Sequence, residues 1–276
     1  MSRLFEALQR SESGNSGSPF TWPHLKVSNS EQLNELSKID LEHCPSLLIE
    51  PSPESRLVGL TGKDSLGAEK FRFLAVRLRQ INQSRPIKKV LITSTMPEEG
   101  KSLVSANLAI AFAHRHVQKI LLIEGDLRRP TLVQRFGLGT LPGLCEWLRG
   151  DGSSPATIYH LKNAGFWFLP AGIAPENPLE LMQSARMAQL IDQLTSLFDW
   201  IVIDSPPVLP LADTSVWARV VDGILLVVRE AQSRSSQIKT GMQALRPRNL
   251  LGIVLNSCSE VDRSNYYQRY YSPEAR

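Results

Sequence analysis

The chain has 276 residues, 42% of them hydrophobic and 21% charged, with a formal charge of +4. That composition suits a soluble globular protein with room for one large domain and tails. The charge is too mild to mark a nucleic-acid binder, and no apolar run approaches the ~20 residues of a membrane span.

Residues 1–12 alternate charged and apolar positions and lack a signal-peptide core. Leu4, Phe5 and Leu8 would share one face of a short amphipathic helix. Residues 11–30 are rich in Ser, Gly, Asn and Pro, the composition of a flexible linker. Residues 31–60 carry no clear period. The expected division is therefore a helix-plus-linker segment over 1–60, a folded domain over 61–258 and a tail over 259–276. Cys44, Cys145 and Cys258 are scattered, with no Cys-x-x-Cys pair. They read as reduced thiols of a cytoplasmic protein. His114 and His116 read as helix-end residues rather than metal ligands.

Residues 69–81 have Phe71, Leu74, Leu78 and Ile81 at helical spacing, with Arg72, Arg77 and Arg79 on the other side. That basic side is either solvated or a subunit contact. Val90, Leu91 and Ile92 then form a buried strand. A polar turn with Pro97 and Gly100 follows, and a helix begins near Leu103. Strand, loop and helix around Gly100-Lys101-Ser102 make the setting of a phosphate-binding loop. Gly100 lets the backbone pass close to a phosphate. The N–H groups around Glu99, Gly100, Lys101, Ser102 and Leu103 would point at the anion. Lys101 would reach the β- and γ-phosphates of ATP, and the Ser102 hydroxyl would ligate Mg²⁺. Two positions depart from the usual loop, with Thr95 and Glu98 where Gly is common.

Residues 120–123 form a second buried strand, closing on Glu124 and Asp126, which share a side if the strand continues. Carboxylates at strand ends lie where open α/β sheets bind ligands. Residues 131–176 are loop-rich, with a short helix expected over 144–149 and a strand over 166–169. A long helix is expected over 177–198, with Asn177 as N-cap and Pro178 at the first position. Residues 200–204 form a strand closing on Asp204, in the manner of an aspartate that orders Mg²⁺. Two more strands, 223–229 and 251–256, flank a helix over 236–245. Asn256 ends the last strand, where its amide can pair with adenine or close a turn. Strands alternating with helices predict a mostly parallel sheet covered on both faces, an α/β P-loop fold.

The tail holds Tyr266, Tyr267, Tyr270 and Tyr271, four of the chain's five tyrosines. They read as phosphate acceptors, or else as a strand docked on the domain.

From about residue 60 onward the chain resembles the bacterial tyrosine autokinases of exopolysaccharide and capsule systems, of CpsD/CapB type. The likeness rests on Pro97–Ser102, the run 121–130, the run 198–207 and the tyrosine tail, in that order; residues 175–181 also look like a family segment. It implies an ATP- and Mg²⁺-dependent kinase that phosphorylates its own tail and regulates polysaccharide export. It implies that Ser102, Asp126 and Asp204 organise the metal and that Asp126 takes the proton of the incoming tyrosine. It further implies a ring of subunits, in which phosphorylation weakens tail docking by repulsion from nearby carboxylates. A separate membrane-bound chain-length determinant or activator protein would hold the kinase at the inner membrane. Glu98, Glu124 and Ala75 stand where the family pattern has Gly, Asp and Arg. Two rival readings follow. One is a nucleotide-binding scaffold without catalysis. The other is a partition-type ATPase of the MinD/ParA kind, against which Met96 counts, because that group carries a signature Lys there.

Overall fold

A computed structural model describes residues 39–114, 117–150, 157–209, 212–230, 233–245 and 249–257. The chain divides into two units, Met1–Leu36 and Ser37–Arg276. The helix and linker expected over residues 1–30, His116, Cys258 and the tyrosine tail lie outside the described residues.

Among the described residues, eight strands form one sheet: β1 (Ser46–Leu47), β2 (Lys89–Ser94), β3 (Ile120–Glu124), β4 (Tyr159–Leu161), β5 (Phe166–Leu169), β6 (Trp200–Asp204), β7 (Gly223–Arg229) and β8 (Leu250–Asn256). Their order is β1-β4-β5-β3-β6-β2-β7-β8. Every neighbouring pair is parallel except β4 with β5. The central strands are apolar on both sides because helices cover both faces, as a parallel sheet requires. On one face Val90, Ile92, Ile120, Leu122, Trp200 and Val202 pack against α2 (Leu66–Ser84) and α3 (Lys101–Ala113), with α1 (Val58–Thr61) beside them. On the other, Leu91, Leu121, Ile123, Ile201 and Ile203 meet α7 (Ala185–Leu197), α8 (Asp213–Val220) and α9 (Ser235–Leu245). Short helices α4 (Leu132–Arg135), α5 (Leu144–Arg149) and α6 (Pro178–Met182) complete the set. Phe112 of α3 stacks on Trp200 of β6 at 4.4 Å between ring centroids, tying the phosphate-loop helix to the sheet centre.

The folded region starts earlier than the boundary expected at residue 60. Ile49 and Leu57 are fully buried in the first core layer. The Asn107 amide donates to the Arg56 carbonyl at 3.0 Å, and Arg135 Nη1 donates to the Ser55 carbonyl at 2.9 Å. Ile49 and Leu57 stand on either side of the single helical turn Pro53–Ser55 and belong to no regular element, so they leave no period to read. The helix expected over 177–198 is two helices. Ser184 between them is extended, with φ −69° and ψ 154°, as suits a residue type that favours caps over helix interiors. Asn177 precedes α6 as expected, but its side chain makes no cap hydrogen bond. His114 follows α3 as its C-cap residue. Cys44 and Cys145 are free thiols, and burial pushes the Cys145 thiol up to about 12.

Candidate active site

The loop between β2 and α3 is built around two glutamates that turn opposite ways. Glu99 turns in and is 1% exposed. Its carboxylate accepts from the Thr95 hydroxyl at 2.8 Å, from the Met96 N–H at 2.8 Å and from the Ser233 hydroxyl. Thr95, which departs from the expected glycine, therefore serves as a donor that fixes the loop. Glu98 turns out and is exposed, at φ 65°. That left-handed backbone is where the usual glycine would be at ease and a Glu is strained. Replacing Glu98 by Gly is expected to raise the melting temperature by about 2–4 °C, corresponding to roughly 1 kcal/mol of relieved strain. It also removes a negative charge from the rim, so a fluorescent nucleotide should bind a few-fold more tightly. An unchanged midpoint in scanning fluorimetry would deny the strain.

Gly100 has φ 94°, and a Cβ there would lie 2.1 Å from Asn256 Nδ2. The Asn256 amide donates to the Glu99 carbonyl at 3.0 Å. Asn256, which the sequence offered as an adenine contact or a turn former, thus supports the loop from the end of β8.

Three acidic side chains gather at the ends of β3 and β6. Glu124 and Asp204 are cross-strand partners. Asp126 lies two residues past Glu124, aimed by Gly125. The Gly125 N–H donates to the Asp204 carbonyl at 2.7 Å, and the Gly125 carbonyl accepts from the Trp217 indole at 3.1 Å. A Cβ on Gly125 would lie 2.8 Å from both the Asp204 carbonyl oxygen and the Trp217 ring, so the turn toward Asp126 admits only glycine. Asp126 Oδ2 sits 3.0 Å from Lys101 Nζ, with the two side chains 6% and 13% exposed. Its Oδ1 accepts from the Arg129 N–H at 3.1 Å.

Asp204 is 1% exposed. Its Oδ1 accepts from the Ser105 hydroxyl at 3.1 Å, and its Oδ2 has no hydrogen-bond partner among the described residues. Burial pushes its carboxyl up to about 6, against the pull of Lys101 and of the Ser102 hydroxyl beside it. A buried carboxylate oxygen without a donor, next to a serine hydroxyl, fits a hard cation that takes few protein ligands and completes its shell with phosphates and water.

Glu124 does a different job. It is fully buried; its Oε1 accepts from the Thr131 and Leu132 N–H groups at 2.6 and 2.5 Å, and its Oε2 accepts from the Ala171 N–H at 3.2 Å. The extra methylene, relative to Asp, reaches two loops and staples them. Burial pushes its carboxyl up to about 7. A raised carboxyl favours the fold while protonated and loses that contribution as pH rises from its unfolded value, 4.5, to about 7. Thermal stability of the nucleotide-free protein should therefore fall between pH 5 and pH 8. Glu124→Gln should flatten that slope by on the order of 2 kcal/mol. Equal slopes in the two proteins would contradict the burial argument.

Between the loop and these carboxylates lies a cavity of about 610 Å³. One wall is the loop, with Gly100, Lys101, Ser102 and Leu103; the other carries Arg128, Arg129, Thr131 and Arg135. Asp126 faces the cavity, whereas Glu99, Glu124, Asp204 and Asn256 do not line it, Asp204 lying buried behind Ser102 and Ser105. Arg128 is bound to the buried Asp213 through Nε at 2.6 Å and Nη2 at 3.1 Å. Arg135 holds the Ser55 carbonyl, its buried Nε has no partner among the described residues, and burial pulls its ionisation down. Of this wall only the pair Arg128-Arg129 stood beside a recognisable motif. Asp213 and Ser233 come from distant stretches, and they, like Ser105 and Arg135 nearer the motifs, carried no signal of their own.

The arrangement can hold a polyphosphate against main-chain N–H groups, place a cation at Asp204 and Ser102, and present a carboxylate to a second substrate. No protein-family model matches the sequence. The chain is 32% identical to the tyrosine-protein kinase YwqD of Bacillus subtilis over 215 residues, covering 77% of this chain and 90% of that one. It is 33% identical to the putative tyrosine-protein kinase CapB of Staphylococcus aureus, covering 75% and 91%. Among solved structures, the kinase domain of Escherichia coli tyrosine kinase ETK superposes with a TM-score of 0.69 at 28% identity, over 83% of this chain and 89% of that one. The septum site-determining protein MinD from Pyrococcus horikoshii, complexed with Mg-ADP, gives 0.51 at 26% identity, over 63% and 72%.

Proposed function

The chain belongs to the bacterial tyrosine-protein kinases, and from that premise we propose that it transfers the γ-phosphoryl group of ATP to its own Tyr266, Tyr267, Tyr270 and Tyr271. The observation that supports this reading best is the Lys101–Asp126 pair at 3.0 Å inside the cavity. It sets an ammonium for the phosphates beside a carboxylate for the phenol. Main-chain N–H groups at the start of α3 and Lys101 bind the triphosphate. Once the phosphates draw Lys101 away, Asp126 is released to accept a proton. A phenol near pKa 10 is a weak nucleophile at neutral pH, so that acceptor matters. The tyrosine oxygen bonds to the γ-phosphorus as the bond to the ADP oxygen breaks, and the phenolic proton passes to Asp126. Asp204 and Ser102 would hold Mg²⁺, which neutralises charge on the phosphates when bound.

The metal set of Ser102, Asp126 and Asp204 is thus retained, with Asp126 shared between metal and substrate. Glu99 and Asn256 act on the nucleotide through the loop they fix. A separate membrane protein of polysaccharide export is the proposed partner; no helix among the described residues is long and apolar enough to cross a membrane. A ring of subunits is proposed through α2. There Glu69 pairs with Arg72, and Phe73 and Val76 stand exposed, while Ala75 is fully buried. A role in polysaccharide export is the one the family resemblance implies, and the likeness to the kinases YwqD and CapB supports it. Incubation with Mg-ATP and mass spectrometry of the tail tests the reading. Phosphate on the four tyrosines is expected; an unmodified tail with nucleotide bound would favour the scaffold.

A further inference from the structure

Helix α8 ties together the two loops that leave β3 and β6. The Thr214 hydroxyl donates to the Pro206 carbonyl, beyond β6, at 2.7 Å. The Trp217 indole donates to the Gly125 carbonyl, beyond β3, at 3.1 Å. Asp213, the first residue of the helix, is 1% exposed. Its two carboxylate oxygens accept from Arg128, Oδ2 from Nε at 2.6 Å and Oδ1 from Nη2 at 3.1 Å. A paired bond of this kind fixes the plane of a guanidinium as well as its place. The third nitrogen, Nη1, makes no bond to Asp213. Arg128 lines the cavity and is 40% exposed there. Hydrogen bonding to Asp213 raises its ionisation, and the charge of Asp126 adds to that pull. Arg128 therefore stands near the carboxylate that takes the phenolic proton.

The other cations of the cavity are held differently. Lys101 pairs with Asp126 and leaves it for the phosphates. Arg135 spends Nη1 on the Ser55 carbonyl and has its Nε buried. The Arg128–Asp213 pair is neutral as a whole, so it adds little attraction for bound ATP. What it supplies is a donor that cannot follow the nucleotide. Phosphoryl transfer passes through a loose state with charge spread over three oxygens, and a donor fixed beforehand stabilises that charge without reorganisation. Building on the functional reading above, we propose that Asp213 is a positioning residue, which fixes Arg128 so that Nη1 meets the phosphoryl group in flight between ADP and the tyrosine. Asp213 touches neither substrate and acts through the arginine alone.

The test compares the full-length chain with Asp213→Asn, Arg128→Lys and the double variant. Tail phosphorylation at saturating Mg-ATP should fall about a hundredfold in Asp213→Asn. Mg-ADP affinity should stay within about twofold, because the interaction matters only during transfer. Arg128→Lys, which cannot make the paired bond, should lose a similar factor, and the double variant should be no slower than Arg128→Lys. Titration calorimetry with Mg-ADP plus aluminium fluoride, a mimic of the group in flight, should show binding at least about tenfold tighter than Mg-ADP in the wild type and no such gain in Asp213→Asn. A wild-type rate in Asp213→Asn would overturn the proposal. So would losses that multiply in the double variant, or an equal loss of Mg-ADP affinity. Circular dichroism checks folding; if Asp213→Asn does not fold, Arg128→Lys decides alone, and an undiminished rate there overturns the proposal. The calorimetry needs no tyrosine. A fluoride gain that Asp213→Asn abolishes, with the wild-type tail unmodified, would sink the kinase reading and leave the positioning role. A phosphorylated tail in the wild type and equally in both variants would do the reverse.

Discussion

Lys101→Met is expected to lower tail phosphorylation by about a thousandfold or more, the scale of losing one fixed positive group at a phosphoryl-transfer centre. Methionine keeps most of the side-chain volume and removes only the charge. Two consequences separate this variant from a merely unstable protein. First, nucleotide affinity falls, because the γ-phosphate loses the ammonium that lines the cavity. Second, Asp126 loses its 3.0 Å partner and keeps the Arg129 N–H. A largely buried carboxylate left in that state is destabilising by a few kcal/mol. Quantitative mass spectrometry of the tail, a nucleotide titration and melting curves check both parts. Phosphate incorporation near the wild-type level would remove Lys101 from the mechanism.

Asp204→Asn should move activity and stability in opposite directions. The variant loses the carboxylate oxygen proposed to hold Mg²⁺, so phosphorylation should drop by at least a hundredfold. The nucleotide-free protein should nonetheless melt several degrees higher at pH 7.5. The reason is the unpartnered Oδ2 and the burial that lifts this carboxyl from 3.8 to about 6. An acid raised in this way weakens the fold increasingly as pH climbs from about 4 to about 6, and in full above that range. Keeping so perturbed a carboxylate ionised costs about 3 kcal/mol at most, a sizeable part of the stability of a typical domain. At pH 5 the difference from wild type should shrink. Mg-ADP should raise the melting temperature of the wild type and add little to the variant. A variant less stable than wild type at pH 7.5, or one still stabilised by Mg-ADP, would count against Asp204 as the buried, metal-seeking group.

Much of the architecture was legible along the chain because it depends on neighbours in sequence. Leu121, Leu122 and Ile123 read as a buried strand since helices cover both faces of the sheet, and no alternation survives there. Gly100, Lys101 and Ser102 read as a phosphate loop because their chemistry requires adjacency. Asp126 and Asp204 were found because each closes an apolar run, which is where a parallel sheet delivers its side chains. The short elements were harder. β1 and β4 hold two and three residues, too few for a period, and the contribution of Ile49 and Leu57 was hidden for the same reason.

Local order therefore determined the strands, the loop and the carboxylates at their ends, since each follows from a short run of residue types. Only the tertiary structure decided how those groups are used. It sent Glu99 inward to Thr95 and Ser233, and committed the Asn256 amide to the loop. It turned the longer Glu124 into a staple between two distant segments, and it left Asp204 with an oxygen unanswered. It also gathered Arg128, Arg129 and Arg135 opposite Lys101. Each of these depends on which side chains meet across the sheet and how deeply they are buried. Desolvation and hydrogen-bond supply are properties of three-dimensional neighbours, and the spacing of residues along the chain does not encode them.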